Sequence, residues 1–259
     1  MVGWVYFFII IFANSIGAVS GMGGGVIIKP LFDTLGFHDV LSISFYSTVA
    51  VLSMSIVSTI RQAQNGIKIN WSFALWLSFG SVLGGIFGSL GLDKLVGIMP
   101  SEKIVSLVQI VLIVATLLFS YAYSKKHWRG YQLNSTISIL GCGLFLGAIA
   151  SFLGIGGGPL NVALLMMLFQ VPIKDATVYS IITILFSQLS KVITISVSTG
   201  FSQFDLSLLI YIIPAGIIGG FLGAYLSKIV SSEKVTTIYQ FVIIGVLFVN
   251  FYNAYKLFL

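Results

Sequence analysis

The chain of 259 residues is 58% hydrophobic and only 8% charged. A soluble domain carries roughly 25% charged residues, so this composition cannot cover a water-facing surface and excludes a soluble protein. The net charge of +6 does not indicate nucleic-acid binding, because arginine occurs only at Arg61 and Arg129 and no basic stripe with interleaved aromatic residues is present. We therefore predict a protein of the lipid bilayer with no nucleic-acid partner.

Eight segments are long and apolar enough to be membrane-spanning helices, which need about 20 residues each. They cover residues 2–22, 40–60, 71–92, 103–123, 135–154, 176–197, 206–228 and 235–257. A basic loop at 124–134 divides them into an N-terminal group within 1–123 and a C-terminal group within 135–259. The sequence thus predicts an all-α polytopic membrane protein built of two four-helix repeats.

Glycine interrupts two of the apolar stretches. From Ser135 to Ile173 the chain has no charge and is too long for one span, whereas residues 160–171, after the interruption, are too few to cross a core of about 30 Å. This pattern predicts a helix, a glycine turn and a short helix that reaches the membrane surface near Lys174. Residues 2–32 have the same design. The glycines are Gly21, Gly23, Gly24 and Gly25 in the first run and Gly154, Gly156, Gly157 and Gly158 in the second.

The two halves resemble each other in order along the chain, which indicates a fused duplication. Asp39–Ser44 matches Asp175–Ser180, and Ser101–Lys103 matches Ser232–Lys234. If each half crosses the membrane four times, the repeats are parallel, which is the arrangement that we favour from the sequence. If a broken segment returns to its own side, the repeats are inverted.

The orientation in the membrane follows from the basic segment 125–129. Cytoplasmic loops carry an excess of Lys and Arg, so this segment favours a cytoplasmic middle connection. Four crossings in each half would then place both termini in the cytoplasm as well. The expected location is the cell (inner) membrane, as a multi-pass protein, and the sequence leaves open a homo-oligomer.

The glycine turns are the first candidates for a binding site. Backbone that leaves helical geometry inside a membrane needs its N–H and C=O groups satisfied by protein or by a polar cavity. Where a short helix follows the turn, its free N–H groups and its dipole favour an anion. Close helix crossing is the alternative role of the same glycines. Their matching positions in both halves favour anion binding.

Hydroxyl groups on the helix after each turn extend this candidate site. Ser44 and Ser47 in the first half match Ser180 and Thr183 in the second, and a spacing of three residues puts each pair on one helix face. Such hydroxyls can replace water around an oxyanion. Hydrogen bonding between helices, or to the preceding turn, is the alternative role.

Two cations are further candidates for anion binding. Lys191 lies deep in its span, where an ionisable residue is costly and therefore functional by default. Arg61 lies at a helix end, where it could instead snorkel to the interface. Asp39 and Asp175 lie where helices begin, which favours a dipole-stabilising or capping role over ion coupling.

No sequence pattern indicates catalysis, a metal or a cofactor. The chain lacks a His-Glu-x-x-His motif, a phosphate-binding loop and paired carboxylates within a span. The lone Cys142 lies in an apolar run, which favours a buried packing role. We predict a protein that is not an enzyme and that uses no cofactor.

The first glycine run reads Gly21-x-Gly23-Gly24-Gly25-x-x-x-x-Pro30-x-Phe32 and is followed by Ser44 in the next helix. This pattern resembles the TauE/SafE family of sulfite and organosulfur-anion exporters. The second run, with Ser180 after it, strengthens the resemblance, which covers nearly the whole chain. One departure is that Pro30 has no counterpart in the second half, where Ala163 takes its place and a proline comes early at Pro159.

The resemblance implies a bacterial-type permease for sulfite, sulfoacetate or a related small anion. Members of the family differ in substrate and direction, so neither follows from the resemblance. Since the chain has no ATP-binding motif, secondary transport is the expected mechanism. An anion channel and a non-transporting membrane scaffold are the alternatives, and the lack of mid-span carboxylates disfavours a cation carrier.

Overall fold

The computed structural model describes residues 2–64, 69–126 and 130–258. In these ranges all regular structure is helical and no strand occurs, which confirms the predicted all-α class. Eight helices are long and apolar enough to cross a membrane. The helices are α1 (Val2–Ser20), α2 (Gly25–Leu35), α3 (Val40–Gln64), α4 (Trp71–Ile98), α5 (Glu102–Lys126), α6 (Thr136–Leu153), α7 (Pro159–Phe169), α8 (Ile173–Val197), α9 (Leu209–Ile229, after a 3₁₀ turn at Leu206–Leu208) and α10 (Ser232–Phe258).

Helices α1 and α2 form an antiparallel hairpin with the first glycine run at its tip. Tyr6, near the start of α1, stacks on Phe32, near the end of α2, with ring centroids 3.7 Å apart. At the other end of α1, Gly17 packs directly against the backbone of Gly23 and Gly24. The short helix α2 therefore returns the chain to the end of the bundle where α1 begins.

Helices α6 and α7 form the matching hairpin in the second half. The chain just before α6 pairs with the end of α7, because the backbone N–H groups of Tyr131 and Leu133 donate to the carbonyls of Met167 (2.6 Å) and Leu168 (3.0 Å). The second glycine run is the tip of this hairpin. Each hairpin thus starts and finishes at the same end of the bundle.

Helices α3 and α8 cross near their centres and run in opposite directions. Lys191, late in α8, donates to Ser44, early in α3, at 2.6 Å, and side chains from the middle of both helices, Val51 and Ile184, meet at Gly23. Parallel repeats would make these two helices parallel. The expectation of parallel repeats with four crossings each is therefore wrong, because each hairpin reverses the chain and three helices in each half carry it across.

The main helix contacts made by one half have counterparts made by the matching helices of the other half. Helix α1 packs on α9 as α6 packs on α4, α3 packs on α9 as α8 packs on α4, and α2 packs on α10 as α7 packs on α5. We propose, on this pattern, that segments 1–123 and 135–259 are inverted copies of one unit. The glycines of α4 allow its close contact with α6, since a Cβ at Gly84 would clash with the Leu144 carbonyl oxygen.

The two chain termini lie at one end of the bundle, which we call the termini end. Asn253, close to the end of α10, donates to the Pro30 carbonyl at 2.7 Å, on the arm that lies beside the start of α1. The connection between α5 and α6 lies at the opposite end, the loop end. The expectation that the termini share the side of this connection is therefore wrong, again because of the chain reversal. Of the predicted basic loop, residues 124–126 belong to α5, and His127 and Arg129 lie outside the described residues.

Charge is divided unequally between the two ends in the described part of the chain. The loop end has six basic and two acidic residues, namely Arg61, Lys125, Lys126, Lys174, Lys228 and Lys234 against Asp175 and Glu233. The part of the bundle nearer the termini end has five basic and five acidic residues, namely Lys29, Lys94, Lys103, Lys191 and Lys256 against Asp33, Asp39, Asp93, Glu102 and Asp205. The excess positive charge thus lies at the loop end.

Candidate anion-binding site

The two glycine runs meet at the centre of the molecule. Every residue of 21–25 and 154–158 is buried. Gly25 packs against the Ile155 carbonyl, and a Cβ at Gly157 would lie 3.2 Å from the Met22 carbonyl oxygen. The backbone turns sharply in each tip, with φ of 71° at Gly21 and 68° at Gly154, values that residues with a Cβ rarely adopt. The structure therefore brings the predicted glycines of both halves into one cluster.

Each tip is contacted by a serine from the other half. Ser180 Oγ donates to the Gly21 carbonyl at 2.5 Å, and Ser44 packs on Gly154, where its Oγ would be 2.6 Å from an added Cβ. These are the two serines that the sequence matched to each other. The Ser180 hydroxyl thus satisfies a carbonyl that the first helix break leaves open.

Among the described residues, Lys191 is the only cation that hydrogen-bonds to a serine in contact with a tip. Its Nζ donates to Ser44 Oγ at 2.6 Å and to the Ser151 carbonyl at 2.8 Å, and the residue is 2% exposed. No described Asp or Glu lies within 4.0 Å of this ammonium, and Asp93 attracts it only from a longer distance. A buried charge held by neutral oxygens is costly unless a counter-ion joins it.

Ser47 and Thr183 differ although the sequence pairs them. Ser47 Oγ is buried without a hydrogen-bond partner, 3.1 Å from the position of a Cβ on Gly25. Thr183 Oγ1 donates to the Tyr179 carbonyl at 2.8 Å, within its own helix. Ser47 is therefore available to a ligand at the tips, whereas the Thr183 hydroxyl is already used.

Arg61 lies away from this cluster. It is exposed at the end of α3, and its guanidinium carbon is 4.4 Å from the centroid of the Phe221 ring. This cation–π contact stabilises an interfacial position. The structure does not bring Arg61 together with the other predicted site residues. Asp39, in contrast, has the predicted capping geometry, since its Oδ1 accepts from the Ser42 N–H at 2.6 Å.

The family model "Sulfite exporter TauE/SafE" matches residues 6–251, nearly the whole chain and both hairpins. The chain belongs to the TauE/SafE family. No curated protein and no solved structure matches it. TauE/SafE proteins are membrane transporters of sulfite and organosulfur anions, so the predicted class, a multi-pass permease with a small anionic substrate, is confirmed at that level.

Several polar groups near the TauE/SafE tips were not among the predicted site residues. Ser151 Oγ, Gln188 Oε1 and Asn14 Oδ1 are buried without a hydrogen-bond partner. Gln188 lies one turn before Lys191, so a polar residue at that spacing in an apolar run was the available signal. Asn14 lies in α1, and a single amide side chain in an apolar helix does not show from the sequence which group it will contact.

Protein oxygens occupy the space beside the first run in this conformation. A Cβ on Gly24 would clash with Asn14 Oδ1, and one on Gly25 would clash with the Ile155 carbonyl. These oxygens therefore pack against Gly24 and Gly25 where a ligand would otherwise approach the first run. The donors near the tips include the Lys191 ammonium and the hydroxyls of Ser44, Ser47 and Ser151.

Two cavities lie at opposite ends of the TauE/SafE bundle and are lined by matching helices of the two halves. The termini vestibule, of about 440 Å³, lies between the end of α2 and the α5–α10 pair, and its polar lining includes Asp33, His38, Glu102, Lys103 and Lys256. The loop vestibule, of about 380 Å³, lies between the end of α7 and the same pair, and its polar lining includes Ser124, Gln170, Thr236 and Tyr239. Neither is lined by a glycine of the tips, so the cluster is closed to both vestibules here.

Proposed function

We propose that this protein is a secondary permease for sulfite or another small organosulfur anion, and that the anion binds at Lys191 between the hairpin tips. The observation that supports this most directly is the buried Lys191 ammonium, which contacts only neutral oxygens. An anion would supply the missing negative charge, and Ser44 and Ser47 would donate to its oxygens. The tip amides would add donors after Asn14 and Ile155 move away.

The geometry favours a carrier over a channel. The proposed site is closed to both vestibules, so an ion could reach it only after a conformational change. Such a change, opening one side at a time, is the expected behaviour of inverted repeats around a central site. A scaffold without transport would have no need for an unpaired buried cation. The energy for transport then comes from an existing gradient, either of the substrate or of a coupled ion, and we propose no enzymatic activity.

Uptake of labelled anions by proteoliposomes tests the proposed function. We expect saturable uptake of at least one of sulfite, thiosulfate and sulfoacetate, together with counterflow when the vesicles are preloaded with the same anion. Counterflow separates a carrier from a channel, because a channel lets the anions equilibrate independently. Folded protein that carries none of the three would contradict the proposal.

For the orientation, we propose that the loop end faces the cytoplasm and that both termini lie outside, in the cell (inner) membrane. The excess of basic residues at the loop end supports this orientation. A C-terminal alkaline phosphatase fusion in a bacterial host should be active, and a C-terminal green fluorescent protein fusion should be dark. Fusions after Lys126 serve as the matched control and should give the reverse pattern. A bright C-terminal fluorescent fusion would overturn the assignment.

A further inference from the structure

An ion pair between a buried lysine and a partly exposed aspartate lies on the short arm α2, beyond the first hairpin tip. Lys29 Nζ contacts Asp33 Oδ2 at 2.9 Å and Oδ1 at 3.2 Å, and Lys29 is 1% exposed. The matching positions in the second half, counted from Gly158, are Val162 and Met166, so the pair exists in one half only. A charged pair inside a membrane is costly, and intramembrane charges are functional candidates.

The two members of this pair face different surroundings. Asp33 lines the termini vestibule, whereas Lys29 lies behind it in the interior. Lys29 is also one helical turn from Gly25 of the first tip. A proton can therefore reach the carboxylate from the aqueous side, while the ammonium lies on the side of the proposed anion site.

Other titratable groups face Asp33 from every neighbouring element. His38, in the connection to α3, accepts or donates a hydrogen bond with the Tyr6 hydroxyl of α1 at 2.8 Å. Glu102 and Lys103 of α5 and Lys256 of α10 line the same vestibule. Among these groups Asp33 is the carboxylate that pairs with a buried lysine. Its protonation would therefore change the charge balance of the interior most directly.

We propose that Asp33 is the proton-coupling site of the transporter and that it acts by releasing Lys29. This inference rests on the proposed function. A proton from the vestibule binds the Asp33 carboxylate and neutralises it, so the Lys29 ammonium loses its partner and adds its positive charge to the anion site. Proton and anion therefore favour each other's binding, and one proton accompanies each anion across the membrane.

A proteoliposome assay with thiosulfate, which remains fully ionised over the pH range used, separates coupling from transport. Acidifying the outside relative to the inside should speed thiosulfate uptake by about fivefold or more, the lower range of typical coupling between two sites. The external medium should become more alkaline as protons enter with the anion. Sulfoacetate replaces thiosulfate if the wild-type protein does not carry thiosulfate.

Asp33→Asn should lose the stimulation by the proton gradient while thiosulfate counterflow remains measurable. The double variant Lys29→Gln/Asp33→Asn removes both charges, so it leaves no unpaired lysine to impair folding and should behave in the same way. Glu102→Gln is the matched control, because this carboxylate lines the same vestibule but accepts from the Val40 N–H (3.4 Å). It should keep the full stimulation.

Three results would overturn the proposal. Each can be distinguished from failure of the proposed function, because anion counterflow is still observed. Stimulation that persists in Asp33→Asn and in the double variant would exclude Asp33. Loss of stimulation in His38→Gln with full stimulation in Asp33→Asn would assign the proton to His38. Wild-type counterflow without any stimulation by a proton gradient would exclude proton coupling but leave the permease standing. Absence of counterflow for every anion would refute the permease itself, and the coupling site with it.

Discussion

Lys191→Met is expected to abolish anion transport while the protein remains folded. The substitution keeps a side chain of similar length but removes the positive charge that we assign to the anion. Losing one member of a buried, hydrogen-bonded charge pair costs about 2–5 kcal/mol of binding, which corresponds to at least about a 30-fold weaker interaction. We expect anion uptake in proteoliposomes to fall by at least that factor.

The thermal stability of the same variant tests the physical reason. In the protein without ligand, Lys191 is a buried charge that contacts the neutral oxygens of Ser44 and Ser151. Because methionine removes an unpaired buried charge, the melting temperature in detergent should stay the same or rise. Lys94→Met, at an exposed lysine near the end of α4, should preserve both transport and stability. Normal uptake by Lys191→Met would show that the anion binds elsewhere.

Gly25→Ala is expected to impair both stability and transport. The new Cβ would clash with the backbone carbonyl of Ile155, and neither hairpin tip can shift freely because each packs on the other. Overpacking of a close contact costs about 1–3 kcal/mol, which lowers the melting temperature by about 2–4 °C per kcal/mol in a chain of this size. We expect a loss of several degrees together with a large reduction in uptake.

Two further glycines provide the control for this substitution. A Cβ on Gly141 of α6 or on Gly245 of α10 would meet no atom within 4 Å. Since alanine favours a helix by about 0.5–1 kcal/mol over glycine, Gly141→Ala and Gly245→Ala should be neutral or slightly stabilising and should transport normally. If Gly25→Ala behaves like these controls, the contact between the tips is not required for the fold or for transport.

The sequence was sufficient for the existence of the helices but not for the direction of the chain through them. Hydropathy and length predicted the eight long apolar helices because a bilayer imposes both properties on each helix by itself. Whether α2 continues across the membrane or turns back depends on its packing, such as the stack of Tyr6 on Phe32. No local pattern reports such a contact, so the parallel arrangement was the wrong choice.

The candidate site shows the same limit at the level of side chains. Lys191 could be singled out because a charge deep in an apolar run is costly wherever it points. Arg61 fitted the same rule less well, and only the cation–π contact with Phe221 shows where its side chain lies. The partners of Lys191, Ser44 and the Ser151 carbonyl, come from α3 and α6, and such long-range contacts follow from the tertiary structure alone.

The two halves share one backbone plan but do not share one set of charges. Lys29, Asp33 and Lys191 correspond to Val162, Met166 and Ser55 in the opposite half, counting from the matched glycines and serines. If the two halves were chemically identical, the unoccupied carrier would populate its outward- and inward-facing states equally. With ionic groups on one side only, the two states differ in free energy, and one of them predominates at rest. Because the apparent dissociation constant equals the intrinsic one divided by the fraction of protein in the competent state, the half-saturating anion concentration should differ between the two faces of the membrane.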